Sequence, residues 1–368
     1  MRKKIMLFLS IITLISVMFI YVLPGCALAQ ELTKVTWISP RGTLDVMDDV
    51  CYWVADEMGY FEELGIKLVM EPGPMEAMST TKFTAEGKTD VGFPSPGVLT
   101  SSIDVGMDLI MVYDRMPQQI FNFAVRADSD IETVYDIEGK TISLGSAGWQ
   151  VIVDPMLVEL GIDPKSVTYL TAGELWAQAV NAGEADSALN WEGYRAQWDA
   201  IGLDFRYFLG TDFSEFPSNG EVIRKADLND PERRQLWINF FKAVSMGQHF
   251  LRHNPRGGAQ IAYNKLAGVR DTMNPQEALE FTQQLHWICT YGERELGGYG
   301  DTDLNGWEKY LAIIYDLGQT QRKLELEEVV TTELIEEIND FDRERVERDA
   351  REFVLEDTWE DVEVVGNW

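Results

Sequence analysis

The sequence predicts an α/β fold of two similar lobes, each built on a doubly wound sheet, and three observations carry that prediction. The first is a motif that occurs twice. One copy runs Phe83-Thr84-Ala85-Glu86-Gly87-Lys88-Thr89-Asp90-Val91-Gly92-Phe93, the other Ala179-Val180-Asn181-Ala182-Gly183-Glu184-Ala185-Asp186-Ser187-Ala188-Leu189. Each reads as a helix end, a glycine able to take the left-handed cap, a charged residue, an Asp and a short apolar strand. The second is that strand and helix patterns alternate around each motif, the order that gives a parallel sheet covered by helices. The third is the loop after each strand, Gly92-Phe93-Pro94-Ser95 in one copy and Asn190-Trp191-Glu192 in the other. Strand ends are where ligands sit in open α/β sheets. Two such units imply two lobes facing one ligand.

In chain order, Lys34 to Ser39 reads as the first strand, because Val35, Trp37 and Ser39 alternate with Thr36 and Ile38. A helix follows from about Asp45 to Leu64, with Val46, Val50, Trp53, Val54 and Met58 at helical spacing, and Gly65 caps it. Ile66 to Met70 is a strand, Glu76 to Glu86 a helix, Val91 to Phe93 a strand, Val98 to Val105 a helix and Leu109 to Tyr113 a strand. This order predicts a parallel sheet. Ile120 to Val125 starts a second unit, with strands at Thr141 to Leu144, Val167 to Leu170 and Ser187 to Asn190. Helices from about Trp149 to Leu160, Leu175 to Ala182 and Tyr194 to Ile201 separate or follow them.

Glu221 to Arg224 reads as a returning strand, and the chain is helical after Asp230. Asn229-Asp230-Pro231 is a helix start with Pro at the first helical position. Helices are predicted at Pro231 to His253, Pro255 to Leu266, Pro275 to Thr290 and Thr302 to Leu317. The acidic, amphipathic stretch from Leu324 to Phe353 is expected to pack on the first lobe, with the last dozen residues loose. The first lobe then comprises residues 31–122 and 220–368, the second 123–219. Crossing segments near Phe121 to Arg126 and Phe216 to Arg224 join them.

The N-terminus reads as an export signal over residues 1–29. Arg2, Lys3 and Lys4 precede an apolar run, Pro24-Gly25 breaks it, and Ala27-Leu28-Ala29 is an A-x-A cleavage site before Gln30. A rival reading makes Leu23-Pro24-Gly25-Cys26 a lipoprotein box with Cys26 lipidated. Both export the protein, to the periplasm or the outer face of the cytoplasmic membrane. Acidic residues outnumber basic ones 61 to 31. That charge argues against nucleic acid and anionic membrane surfaces as partners. It is spread along the chain, as in proteins soluble in concentrated salt or in an ordinary acidic secreted protein. Cys51 and Cys289 read as two buried free thiols or, less readily, as a disulfide. No Cys/His cluster has metal spacing. His249 and His253 share a helical face four apart, but no nearby carboxylate completes a site, so surface or capping roles are expected for them.

At this point the residues resemble a known family. Gly59-Tyr60-Phe61-Glu62-Glu63-Leu64-Gly65-Ile66, Arg126-Ala127-Asp128-Ser129-Asp130-Ile131 with Tyr135-Asp136-Ile137-Glu138-Gly139-Lys140, and Gly183-Glu184-Ala185-Asp186 with Trp191 occur in the family's order. They are similar to segments of the exported solute-binding proteins of ABC transporters that serve sulfonates, taurine, nitrate and thiamine-pyrimidine precursors. The resemblance runs from about residue 35 to 350. It implies a type II periplasmic-binding-protein clamp with a two-strand hinge and a helical C-terminal extension. It also implies a small-molecule ligand and a membrane permease and ATPase as partners; a monomer without cofactor or metal is expected. The Pro that usually follows the Trp is replaced here by Glu192-Gly193.

Position at the strand ends nominates Ser39, Arg41, Phe93, Ser95, Tyr113, Ser146, Trp149, Asn190, Trp191 and Glu192 as ligand-binding residues. Several have a plainer reading. Ser146 reads as an anion-binding helix start or simply an N-cap. Trp149 reads as a stacking surface or core, and Phe93 and Tyr113 as pocket walls or core. Arg41, like Arg115, reads as an anion anchor or half of an ion pair. Glu192 reads as an amine grip or a surface carboxylate. The leading function is non-catalytic capture of a sulfonate-, aromatic- or pyrimidine-like solute. The alternatives are an enzyme of pyrimidine-precursor synthesis on the same fold, for which the chain lacks a Cys-rich metal segment, or a ligand-sensing clamp.

Overall fold

The protein is described by a computed structural model over residues 31–365, apart from 75 and 77. The expected signal peptide and Cys26 lie outside the described residues. Among those described, no helix is long and apolar enough to cross a membrane.

Among the described residues, ten strands form two five-stranded sheets flanked by helices, the arrangement of a two-lobed α/β clamp. The first contains β1 (Thr33–Ile38), β2 (Ile66–Glu71), β3 (Val91–Gly92), β4 (Leu109–Tyr113) and β10 (Glu221–Arg224). The second contains β5 (Phe121–Arg126), β6 (Thr141–Leu144), β7 (Thr168–Thr171), β8 (Ser187–Trp191) and β9 (Phe205–Phe208). Their orders, β2-β1-β3-β10-β4 and β7-β6-β8-β5-β9, are the same plan twice. In each, three parallel strands are followed by one antiparallel strand that has crossed from the other lobe, then an edge strand antiparallel to it. The sheets are therefore mixed, where the sequence predicts parallel ones. The returning β10 inserts between β3 and β4 and separates strands that local order makes neighbours.

The repeated motif has the same structural job in both sheets. Gly87 and Gly183 take φ of +71° and +76°, the left-handed cap that ends the preceding helix. Asp90 then accepts the Thr36 N–H of β1 on its carboxylate at 2.9 Å, while its own N–H donates to the Thr36 carbonyl at 2.8 Å. Asp186 repeats this on Thr141 of β6, at 2.8 and 2.9 Å. The Asp side chain thus stands in for a missing ladder partner at the point where a strand enters the sheet.

Local patterns placed most elements, with shifts of one to three residues. The 45–64 helix is broken, because Gly59 at φ +75° separates Val50–Glu57 from Tyr60–Glu63. β9 has no counterpart in the sequence reading: it is a four-residue, half-buried edge strand with no clear alternation. The crossing chains meet between Met116 and residues 218–219, where Met116 N–H donates to Asn219 O and Ser218 N–H to Met116 O, both at 3.2 Å. The first crossing therefore lies before Phe121–Arg126, which is a full strand of the second sheet.

Cys51 and Cys289 are free and buried. The C-terminal residues are not loose as far as Val365. Trp359 is buried with its ring 5.5 Å from that of Tyr263, and the Glu363 and Val365 N–H groups donate to Gln276 and Gln283 at 2.9 and 3.0 Å. One large apolar side chain anchors this tail.

Candidate functional site

A cavity of about 730 Å³, its open mouth included, lies between the two sheets. The first sheet's loops contribute Pro40, Arg41, Asp48, Phe93, Pro94 and Ser95, and the second lobe Phe121, Trp149, Ile152, Leu189, Trp191 and Tyr194. Met116, Ile120 and Asn219 line it from the crossing segments. The two sides differ in chemistry.

The first-lobe side rests on a buried charge network. Arg41 pairs with Asp48 at 2.9 Å and with Asp49. Arg115, fully buried, pairs with Asp49 at 2.9 Å and Glu221 at 3.0 Å, and donates to the Asp48 carbonyl at 3.1 Å. Trp37 Nε1 donates to the other Glu221 oxygen at 2.9 Å. The Arg115 guanidinium also lies 3.7 Å from the Phe93 ring centre, a cation–π contact that fixes this pocket wall. Two guanidiniums thus face three carboxylates. Burial opposes charge on Arg41, but Asp49 and Asp48 more than offset it and raise its pKa. Burial raises the Asp48 carboxyl against the pull of Arg41, and pushes Glu221 up to about 7 against the pull of Arg115.

The second-lobe side is aromatic. Trp191 lies edge-on to Trp149 at 5.8 Å, edge-on to Tyr194 at 4.4 Å and stacked on Trp176 at 6.2 Å. Trp149 packs so closely over Gly145 that an added Cβ would sit 2.4 Å from its ring. Trp191 Nε1 donates across the cleft to Asp48 Oδ2 at 3.2 Å, so the lobes touch. An added Cβ on Gly193 would lie 1.9 Å from Asp48 Oδ1. This close approach is a physical reason for a glycine two residues beyond Trp191.

Four polar atoms at the cavity are buried without a hydrogen-bond partner: Arg41 Nε, Asp48 Oδ1, Ser95 Oγ and Asn219 Oδ1. Such atoms are costly unless a ligand or water satisfies them.

Of the ten residues nominated from sequence, the cavity brings together Arg41, Phe93, Ser95, Trp149 and Trp191. The other five do not line it. Ser39 accepts the Arg41 N–H within its own turn. Tyr113 is core, stacked on Phe241 and bonded through its hydroxyl to Ser245 and Gln248. Ser146 caps the short helical turn at Ala147–Trp149. Asn190 is buried within β8. Glu192 is held by Arg195 at 2.8 Å and Asn122 at 3.3 Å. Asp48, Tyr194, Phe121 and Asn219 were missed. Asp48-Asp49 did leave a signal, an acidic pair between apolar residues in a predicted helix.

The histidine reading also changes. Glu347, from the Arg343–Glu352 helix, lies beside His249 and His253 and supplies the carboxylate that local sequence lacks. Burial lowers the His249 imidazole to about 4, and its Nε2 has no hydrogen-bond partner.

This fold and cleft define a two-lobed clamp of the type II periplasmic-binding-protein class. A family model described as NMT1/THI5 like matches residues 48–257, more than half of the chain, and the chain belongs to that family. Among curated proteins, none matches. Solved structures with the same fold include the alkanesulfonate-binding protein SsuA of Xanthomonas axonopodis pv. citri bound to MOPS. It is 13% identical with a TM-score of 0.62, covering 82% of this chain and 99% of that one. The periplasmic aliphatic sulphonate binding protein SsuA of Escherichia coli is 13% identical with a TM-score of 0.62, covering 81% and 96%. A periplasmic sulfonate-binding protein of an ABC transporter from Methylobacillus flagellatus KT is 15% identical with a TM-score of 0.56, covering 83% and 93%. The chain thus shares the fold of these sulfonate-binding proteins.

Proposed function

We propose that this protein is the exported solute-binding component of an ABC import system, acting as a monomer that closes on its ligand and delivers it to a membrane permease and ATPase. The observation that carries the reading is the cleft itself. Both sheets present strand-end loops to one cavity, and four buried polar atoms there await partners. Export follows from the N-terminal signal, with a mature chain beginning at Gln30 or at lipidated Cys26. Domain closure driven by contacts to both lobes is the mechanism.

The ligand in this reading is a planar nitrogen heterocycle bearing amino or amide groups. Phe93, Phe121, Trp149, Trp191 and Tyr194 offer ring faces and edges. Asp48 Oδ1 and Asn219 Oδ1 accept, Arg41 Nε donates and Ser95 does either. A sulfonate fits less well, because both nearby guanidiniums are already neutralised by carboxylates. A thermal-shift screen over amino-pyrimidines, flavins, aromatic acids, amines and sulfonates tests this, since a ligand of the folded state raises the melting temperature. Stabilisation by heterocycles, with compaction in small-angle scattering, supports the reading. Stabilisation by sulfonates alone overturns the ligand class.

A further inference from the structure

We propose that His249, His253 and Glu347 form a binding site for one divalent transition-metal ion, zinc in the first instance, that fastens the C-terminal segment to the first lobe. His249 and His253 stand one turn apart on the Pro231–His253 helix, and Glu347 comes from the Arg343–Glu352 helix packed against it. None of the three lines the cleft.

The geometry is that of a nearly assembled ligand set. Glu347 Oε1 lies 3.6 Å from His249 Nε2 and 3.8 Å from His253 Nε2, and one ligand atom from each of the three residues falls within 4.8 Å of the others. Two bonds of about 2.1 Å to one zinc ion span at most about 4.2 Å, so the two His–Glu separations already fit. His253 and Glu347 are partly exposed and free to close the remainder. His249 is oriented from behind, with Nδ1 3.0 Å from the Tyr299 hydroxyl. That leaves Nε2 aimed at Glu347, the outer-partner arrangement that fixes a ligating imidazole.

Three guanidiniums stand near the site and oppose a cation in part, but each is paired with a carboxylate. Arg343 and Arg252 both pair with Glu293, and Arg351 contacts the other Glu347 oxygen, Oε2, at 3.5 Å. Imidazole donors select first-row transition ions over magnesium or calcium. Three protein ligands leave one position for water. The inference does not depend on what occupies the cleft.

The test uses purified full-length protein, its tag removed and metal stripped with a chelator. It is titrated with Zn2+ by calorimetry and with Co2+ by visible absorption. The expected result is one ion per chain, unaffected by excess Mg2+, with the d–d bands of imidazole-bound cobalt. His253→Ala and Glu347→Gln change partly exposed side chains and leave the fold intact by circular dichroism. Each is expected to weaken Zn2+ by more than the ~10-fold to ~100-fold cost of losing an outer partner, and Tyr299→Phe to fall within that range. If one variant does not fold, the other decides. Failure of the unaltered protein to bind either ion, or unchanged affinity in the folded variants, overturns the proposal. His286 is the one other histidine and lies fully buried on another helix, so loss on substitution is assigned without ambiguity.

Discussion

The two walls of the cleft solve different problems. The first-lobe wall is charged but internally paired: Arg41 and Arg115 are gripped by Asp48, Asp49 and Glu221. The second-lobe wall is a cluster of aromatic rings packed on one another, with Trp191 buried, Trp149 and Tyr194 half-buried, and few polar atoms. Charge on the first wall is therefore structural, tying the loop after β1 to the ends of β4 and β10. On the second, Trp149, Trp191 and Tyr194 line the cavity with uncharged rings that take part in no ion pair. An arginine in a cleft is an anion anchor only if its charge is uncompensated, and here both guanidiniums are paired with carboxylates, with Arg41 Nε and Arg115 Nη2 left without a partner.

The sharpest way to break this comparison is at Arg115. Arg115→Met strands Glu221 in the interior and leaves Asp49 with Arg41 alone, and removing one partner of a buried ion pair costs about 3–5 kcal/mol. Urea unfolding is expected to show that loss. A variant of unchanged stability that has lost ligand binding would instead make Arg115 a ligand anchor.

On the aromatic wall, Trp191→Ala is expected to weaken ligand binding by about 2 kcal/mol, the scale of an aromatic hot spot, and to alter intrinsic fluorescence on binding. Lowered melting temperature with intact affinity would make Trp191 a core residue and return the ligand-facing role to Trp149 or Tyr194.

A third test concerns a buried carboxyl beside the charge network. Asp114, next in sequence to Arg115, is buried without a cationic partner. Burial pushes it up to about 7, although Thr302 donates to it. The folded chain therefore holds a proton that the unfolded chain releases near 3.8. The stability this contributes is full below about pH 4 and is lost as pH rises through about 7. The slope is at most about 1.4 kcal/mol per pH unit. Asp114→Asn is expected to flatten that decline in denaturant midpoints between pH 4 and 7. An unchanged profile would assign the pH dependence to Glu221 and the network.

The smallest effect is expected at the surface. Lys309 pairs with Glu215 in the open, where solvent screens the pair. Lys309→Ala is expected to leave the thermal midpoint unchanged, and a clear drop would show that charge outside the cleft also carries structure.

Local chemistry made much of the fold legible. Gly87 and Gly183, each followed three residues later by Asp90 and Asp186, announced both lobes, because a left-handed cap and an Asp at a strand entry are short-range requirements. Half of the nominated cleft residues line the cavity for the same reason: a strand end is readable from alternation and a turn. Where each side chain goes after that is less local. Ser39 and Ser146 turned inward to their own backbones, and Glu192 was taken by Arg195.

By itself the sequence determined the α/β order, the two repeats, the breaks at glycine and proline, and the long helix at Pro231–His253, all set by contacts within a few residues. Tertiary structure alone decided that β10 enters antiparallel between β3 and β4, that Arg115 meets Asp49 and Glu221, that Trp191 reaches Asp48, and that Glu347 stands beside His249 and His253. Each of these joins residues far apart in the chain. The physical reason is that pairing of distant groups depends on how the lobes and helices pack, which no window of neighbouring residues encodes.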